Sequence, residues 1–398
     1  MDIFEKCQQF GRASVIQLAQ AEQMYPYFIP LQSQAGPEVV INGRKMLMFG
    51  SNNYLGLTQH PEVIEAAVKA VEKYGTSCTG SRLLNGTLDL HEELEHELAR
   101  WLGKEAALVF TTGFQTNLGA ISALVGRRDV AIIDRADHAS IVDATRLSFG
   151  QTVRFRHNDM EDLERLLEQY SRDHGVLIVV DGVFSMEGDL ADLPRIVELK
   201  KRYGARLFLD DAHGLGVLGP TGRGTAEHFG LLDEVDIIMG TFSKSFASTG
   251  GFVAGPADVI WYIKHTARSF LFSASIPPAS AAAAYAALRI IQREPERLRR
   301  LWHNARVLKE GFERLGLNTG RTQSPIVPII VGDELKLGRF WKGLFDRGVY
   351  VNAAVAPAVA PGSELIRTSC IATHTDEHLE RMLAAVAETA REVGLIRD

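Results

Sequence analysis

"VDIIMGTFSKSFASTGGFVAG", residues 235–255, reads as two apolar strands joined by a loop that carries a single charge. The runs "VDIIMG" and "GGFVAG" are short, apolar and bounded by glycine, the pattern of strands buried on both faces. Lys244 lies between them, flanked by Ser243 and Ser245 and three residues after Thr241. Two readings fit this peptide. One is a lysine on an ordinary strand-to-loop turn. The other is an amine kept in a dry pocket, neutral and nucleophilic near pH 7, and able to form a Schiff base. The surrounding chain decides between them.

Working outward, further short apolar runs appear at "AALVF", "VAIID", "VLIVV" and "RLFLD". Most are separated by helical patterns such as "MEDLERLLEQY" and "LPRIVELKKRYG", with apolar residues every three or four positions. "PEVIEAAVKAVEKYG" has Pro61 at its start and Gly75 at its end, the expected helix punctuation. This alternation predicts an α/β domain with a largely parallel sheet, and in such sheets ligands bind at the carboxyl ends of the strands. After "PPASAAAAYAALRIIQ" the rhythm changes to "SPIVPIIVGD", "GVYVNAAVAP", "ELIRTSCIATH" and a terminal helix. The expected division is an N-terminal segment with a short hairpin (1–50), a large domain (51–285) and a smaller α+β domain (286–398).

The 398 residues are 46% hydrophobic and 23% charged, as in ordinary globular proteins, and allow two domains. A net charge of -6 argues against a broad nucleic-acid-binding surface. Cys7, Cys78 and Cys370 are odd in number and far apart, which fits neither a disulfide framework nor a zinc site; no metal is expected, and a reducing, cytoplasmic setting is. No basic-then-apolar leader is visible in "MDIFEKCQQF", and no run is long enough to span a bilayer.

The polar residues after the strands form a pattern. "TTGFQTN" follows the first strand and enters a helix, as either an N-cap or an anion site. "RADHAS" puts His138 on a loop after the second, where a structural histidine is the commoner meaning. "DGVFSMEGD" brings Ser185, "RLFLD" ends on Asp210 with His213 three residues on, and the last run leads to Lys244. Pyridoxal phosphate chemistry uses all of these: a lysine for the aldehyde, a carboxylate for the pyridine nitrogen, a flat group on the ring, and amides and hydroxyls for the phosphate. No GxxxxGK[ST] is present, and no GxGxxG follows the first strand, so P-loop and dinucleotide-binding readings fail.

The longer motifs "GRKMLMFGSNNYLGL", "TSCTGSRLLNGTLDLH", "HASIVDA", "GTFSKS", "LFSASIPPAS" and "LIRTSCIATHT" extend over nearly the whole chain. In them the sequence resembles the α-oxoamine synthases, fold-type I pyridoxal-phosphate enzymes that condense an amino acid with an acyl-thioester and decarboxylate the product. The segments "YPYF", "TSCTGSRLLNGTLDLH", "RFRHNDMEDLERLL", "GTFSKS" and "LFSASIPPAS" point to the serine-using bacterial branch. The resemblance implies pyridoxal 5′-phosphate on Lys244, with Asp210 at its pyridine nitrogen, His213 at its ring hydroxyl and His138 stacked on its ring. It further implies that Gly113, Phe114 and Ser185 lie beside the cofactor and that Thr241 and Ser243 reach its phosphate. Ser273 and Ala274 would contact the phosphate of the neighbouring subunit, which makes the enzyme a homodimer. Asn52, His138 and Arg367 would hold the amino-acid carboxylate, with Arg367 offering a two-pronged fork; an unconnected surface arginine is the other reading of that position.

By the same resemblance the substrates are L-serine and palmitoyl-CoA, and the products 3-oxosphinganine, CoA and CO2, the first step of sphingolipid biosynthesis. The hydrophobic product implies peripheral contact with the inner membrane, although no basic amphipathic helix supports it. At "NAAVAPAVAPG" several relatives carry an arginine near Val355, where this chain is apolar; more of the carboxylate binding then falls to Arg367 and His138. The alternatives are a sister synthase using glycine, alanine or a carrier-bound acyl group, a fold-type I aminotransferase, and a non-catalytic partner subunit. The last would be expected to lack Lys244.

Overall fold

The computed structural model describes residues 2–12 and 20–396, of which 9–12 by backbone alone. The stretch 13–19 of the expected N-terminal segment and the last two residues therefore lie outside the described residues. The chain opens with a helix, Glu5–Arg12, followed by a hairpin of β1 (Glu38–Ile41) and β2 (Arg44–Met48). Asn42 and Gly43 form its two-residue turn, both with positive φ (50° and 71°), the conformation that Asn-Gly favours and that matches strand twist.

Seven strands build the central sheet: β3 (Ala106–Phe110), β4 (Asp129–Asp134), β5 (Gln151–Phe155), β6 (Gly175–Asp181), β7 (Arg206–Asp210), β8 (Ile237–Thr241) and β9 (Gly251–Gly255). Their order is β3-β9-β8-β7-β6-β4-β5. The pairs from β5 through β8 are parallel, and β9 runs antiparallel to both β8 and β3. Helices cover both faces and two apolar clusters form, one on each side, with Ile178, Leu209 and Ile238 in one and Val179, Phe208 and Met239 in the other. Alternation of neighbouring residues between the two clusters is what an α/β sheet buried on both faces requires.

β5 is absent from the sequence reading. It is the edge strand, polar and half-exposed ("QTVRF"), so the search for apolar runs passes over it. The three strand-like segments that the sequence marks beyond residue 286 fall where expected and hold four strands: β10 (Ile326–Ile330), then β11 (Val349–Tyr350) with β12 (Asn352–Ala354), then β13 (Leu365–Ser369). β13 is the central strand of an antiparallel trio with β10 and β12. β11 pairs parallel with β2, so the N-terminal hairpin joins a sheet with the C-terminal region besides leading into the large one. The expected boundary at 285/286 falls inside one helix, Pro278–Arg293, which packs against the helix Pro61–Tyr74.

Candidate active site

β8 and β9 are joined by the loop that carries Lys244. Phe242 and Phe246, two residues to either side, are fully buried and pack with each other and with Phe252 of β9 at ring separations of 5.4–6.3 Å. The lysine is thus presented from a rigid aromatic base. It borders a cavity of about 330 Å³ at the carboxyl ends of β4, β6, β7 and β8. Gly113, Phe114, His138, Ser185, Asp210, His213, Thr241, Ser243 and Lys244 all line it, so the strand-end residues singled out from the sequence converge on one space.

Each element contributes for a local reason. Thr112 caps the helix Gly113–Leu124, accepting the Gln115 amide at 3.1 Å, and the first amides of a helix have no partners within it. The N-cap and anion readings of "TTGFQTN" are therefore compatible. At Gly113 any Cβ would stand 2.6 Å from Thr241 Oγ1, so glycine is what lets the helix start approach the end of β8. Thr241 and Ser243 share a 2.8 Å hydrogen bond between their hydroxyls.

The charges are arranged around the lysine. Asp210 is 4% exposed; its Oδ2 accepts the Asn117 amide at 2.6 Å and its Oδ1 the Ala212 N–H at 3.1 Å. Asp181 is buried beside it and accepts the His138 backbone N–H at 2.9 Å; burial and the Asp210 charge hold its pKa well above the carboxylate range. Lys244 is half-buried at the cavity wall. Burial lowers its pKa to about 8, with the Arg367 charge adding and Asp210 and Asp181 opposing. No acceptor for its ammonium is found among the described residues. His138 is exposed to the cleft, not packed in the core, and desolvation in the cleft lowers its pKa.

Arg367 lies on β13, the central strand of its sheet, and is 4% exposed, which excludes the reading as a surface arginine. Its Nε donates to the Ser185 carbonyl, Nη1 to Ser369 Oγ at 2.8 Å, and Nη2 to Asn52 Oδ1 at 3.0 Å and Tyr54 Oη at 3.4 Å. Tyr54 Oη in turn lies 2.7 Å from His213 Nδ1, and burial drives the His213 pKa well below its ordinary value. Four of the five guanidinium N–H bonds are thus committed, which corrects the expectation of a free two-pronged fork. One N–H of Nη1 remains, and Asn52, engaged through Oδ1, keeps its amide N–H bonds to offer. Asn52 lines a second space of about 550 Å³ that shares Ser243, Lys244 and Thr249 with the first.

Ser273 and Ala274 are outside the cavity: Ser273 Oγ accepts from the Gln115 amide at 3.3 Å, and the Ala274 carbonyl from Thr111 at 2.6 Å. Val355 is half-buried against the core. Sequence reasoning missed Asn117, Ser140, Asp181 and Tyr54. Asn117 and Ser140 lie one turn into, or at the first turn of, a helix whose cap drew attention, and Tyr54 adjoins the "NN" that did.

The aminotransferase class I and II family matches residues 44–386. The chain belongs to this family of fold-type I pyridoxal-phosphate enzymes. It is 52% identical to serine palmitoyltransferase of Sphingobacterium spiritivorum over 94% of this chain and 95% of that one. It is 45% identical to 8-amino-7-oxononanoate synthase of Symbiobacterium thermophilum over 92% and 94%. Serine palmitoyltransferase from S. paucimobilis with a bound PLP–myriocin adduct superposes with a TM-score of 0.96 at 36% identity, covering 100% of each chain. The cofactor is pyridoxal 5′-phosphate, and the cavity fits it. The buried Asp210 carboxylate is a negative charge that a protonated ring nitrogen offsets, Lys244 supplies the amine, and a helix start with two hydroxyls suits a phosphate.

Proposed function

We propose that this chain is a pyridoxal-phosphate-dependent acyltransferase that condenses L-serine with a long-chain acyl-CoA, palmitoyl-CoA above all, releasing CoA and CO2 and giving 3-oxosphinganine. The observation that carries this is the convergence of Lys244, Asp210 and His138 on one cavity, with Arg367 hydrogen-bonded to Asn52 of the adjoining space, in a chain with a relative of that activity at 52% identity. Lys244, Asp210, His213, His138, Gly113, Phe114, Ser185, Thr241 and Ser243 would hold the cofactor.

When bound, the cofactor supplies an aldehyde that reacts with amines and a ring that takes up the electrons left at Cα. Arg367 Nη1 and the Asn52 amide bind the serine carboxylate, with the Nε2 side of His138 as the third contact. The Lys244 amine, with its pKa near 8, accepts the Cα proton at Nζ. Asp210, held by Asn117 and the Ala212 amide, keeps its carboxylate aimed into the cavity, where it retains a proton on the ring nitrogen. A bond then forms from serine Cα to the acyl carbonyl as the C–S bond breaks; CO2 leaves from the same Cα, and a proton returns to it. In the described residues no helix is long and apolar enough to cross a membrane. A cytoplasmic homodimer, in which Ser273 and Ala274 serve the neighbouring subunit's phosphate, and the division at 50 and 285 belong to this proposal. The test is release of CoA from acyl-CoA with serine, compared with alanine and glycine.

A further inference from the structure

The Asn117 side chain, 1% exposed, donates two hydrogen bonds from Nδ2: to Asp210 Oδ2 at 2.6 Å and to Ser140 Oγ at 2.8 Å. A carboxylate accepts only, which fixes the amide with its nitrogen toward Asp210. Ser140 Oγ lies 2.8 Å from His138 Nδ1, and the Ser140 backbone N–H points at the same nitrogen from 3.2 Å. The backbone N–H has no alternative role: it can only donate. Nδ1 therefore accepts, and the hydroxyl, which receives its own bond from Asn117, is free to turn its proton to the same atom.

We propose that Ser140 and Asn117 are positioning residues that hold His138 as the neutral tautomer protonated on Nε2 and tie that choice to the Asp210 carboxylate. The inference deepens the proposed function and rests on it for the group that His138 faces. Two donors converge on Nδ1, so the imidazole offers the cleft an N–H at Nε2 and no lone pair. A neutral ring also lies over a positively charged heteroaromatic without charge repulsion, which an imidazolium would not. The charged groups that face His138 are Asp210 and Lys244, with opposite effects on its protonation, while Asp181 takes its backbone amide. None of them hydrogen-bonds the imidazole in place of Ser140. Asp210 and His138 stand on different strand ends, and the Asn117–Ser140 link makes the orientation of one depend on the other.

The experiment is ¹⁵N NMR of the full chain labelled at histidine, with and without cofactor, with the His138 signals assigned by difference against His138→Gln. Wild type should show an unprotonated Nδ1 and a protonated Nε2. In Ser140→Ala the backbone N–H still donates to Nδ1 but the hydroxyl does not, so the Nδ1 resonance should shift as its hydrogen bonding weakens, and the ring should titrate at higher pH, because a donor to the neutral form is gone. Asn117→Ala, which leaves the serine hydroxyl free to turn away, should change the spectrum in the same direction. KM for serine should rise roughly three- to tenfold in Ser140→Ala, the equivalent of one ordinary hydrogen bond, with kcat changed less; Ser140→Thr should restore it. A proton on Nδ1 in wild type, or unchanged resonances and titration in both variants, overturns the proposal. The expected tautomer in an enzyme that does not turn over serine would uphold the relay and remove the substrate reading.

Discussion

Replacing Arg367 with alanine deletes one guanidinium that has two jobs. Its Nη1 carries the one uncommitted N–H, and its other donors tie β13 to Ser185, Asn52 and Tyr54. A hydrogen bond between ions is worth roughly 1.5–3 kcal/mol, so serine binding should weaken about ten- to a hundredfold. The structural role adds a second effect. The Ser185 carbonyl loses its donor and Asn52 Oδ1 keeps only Tyr54 Oη at 3.4 Å, and stability should fall by up to about 1–3 kcal/mol for these half-buried groups. Arg367→Lys separates the two, because an ammonium keeps the charge without the planar set of donors that spans Ser185, Ser369, Asn52 and Tyr54. It should retain more serine affinity than alanine while still losing stability. Serine is titrated against the cofactor's absorbance, and urea unfolding gives the stability of the same preparations. A serine dissociation constant unchanged in Arg367→Ala, in protein that still binds cofactor, refutes the carboxylate role and leaves Asn52 and His138 to supply it.

Four further outcomes are expected. Lys244→Ala should lose more than about a thousandfold in turnover, as expected for a group acting as both nucleophile and base, and borohydride should fix cofactor on the wild-type peptide containing Lys244 and nowhere else. In cofactor-free protein, acylation of Lys244 should rise with pH through about 8, where burial puts its pKa, and not near 10.5; mass spectrometry of labelled peptides measures this. Asp210→Asn should still bind cofactor but exchange the Cα proton of serine far more slowly, followed by deuterium washout. The last concerns His157, held by Asp134 at 3.0 Å and Asp189 at 2.9 Å. Burial works against its charge, but the hydrogen bonds to the two carboxylates outweigh burial and raise its pKa to about 10. A raised pKa gives stability that is complete below pH 6.5 and declines as pH rises toward 10, so urea midpoints of wild type should fall over that window more than those of His157→Gln.

Much of the fold was legible because its central strands are buried on both faces and therefore read as unbroken apolar runs. β5 was not, since an edge strand with one covered face needs no such run. The site was legible where chemistry and position coincide: Lys244, Asp210, His138 and His213 are the unusual polar residues at ends of apolar strands. Asn117, Ser140 and Tyr54 were not, because helix and loop positions carry no mark of the partner that the fold brings across. Asn117 meets Asp210 through a contact between positions 93 residues apart, and Tyr54 meets His213 across 159. The state of Arg367 was half visible. Its residue type suggested carboxylate binding, but only the packing of β13 against Ser185 and Asn52 shows how few of its N–H bonds are free.

The central claim is that one cavity joins serine to a fatty acyl thioester with loss of the serine carboxyl group. It is tested most directly by incubating the holoenzyme with [1-¹³C]serine and palmitoyl-CoA, and measuring free CoA and ¹³CO2 together, with alanine and glycine in parallel. The account predicts equal amounts of CoA and ¹³CO2 with serine and much less of either with the other two amino acids. CoA release that follows alanine or glycine instead, or amino transfer to a keto acid without any CoA release, would contradict it.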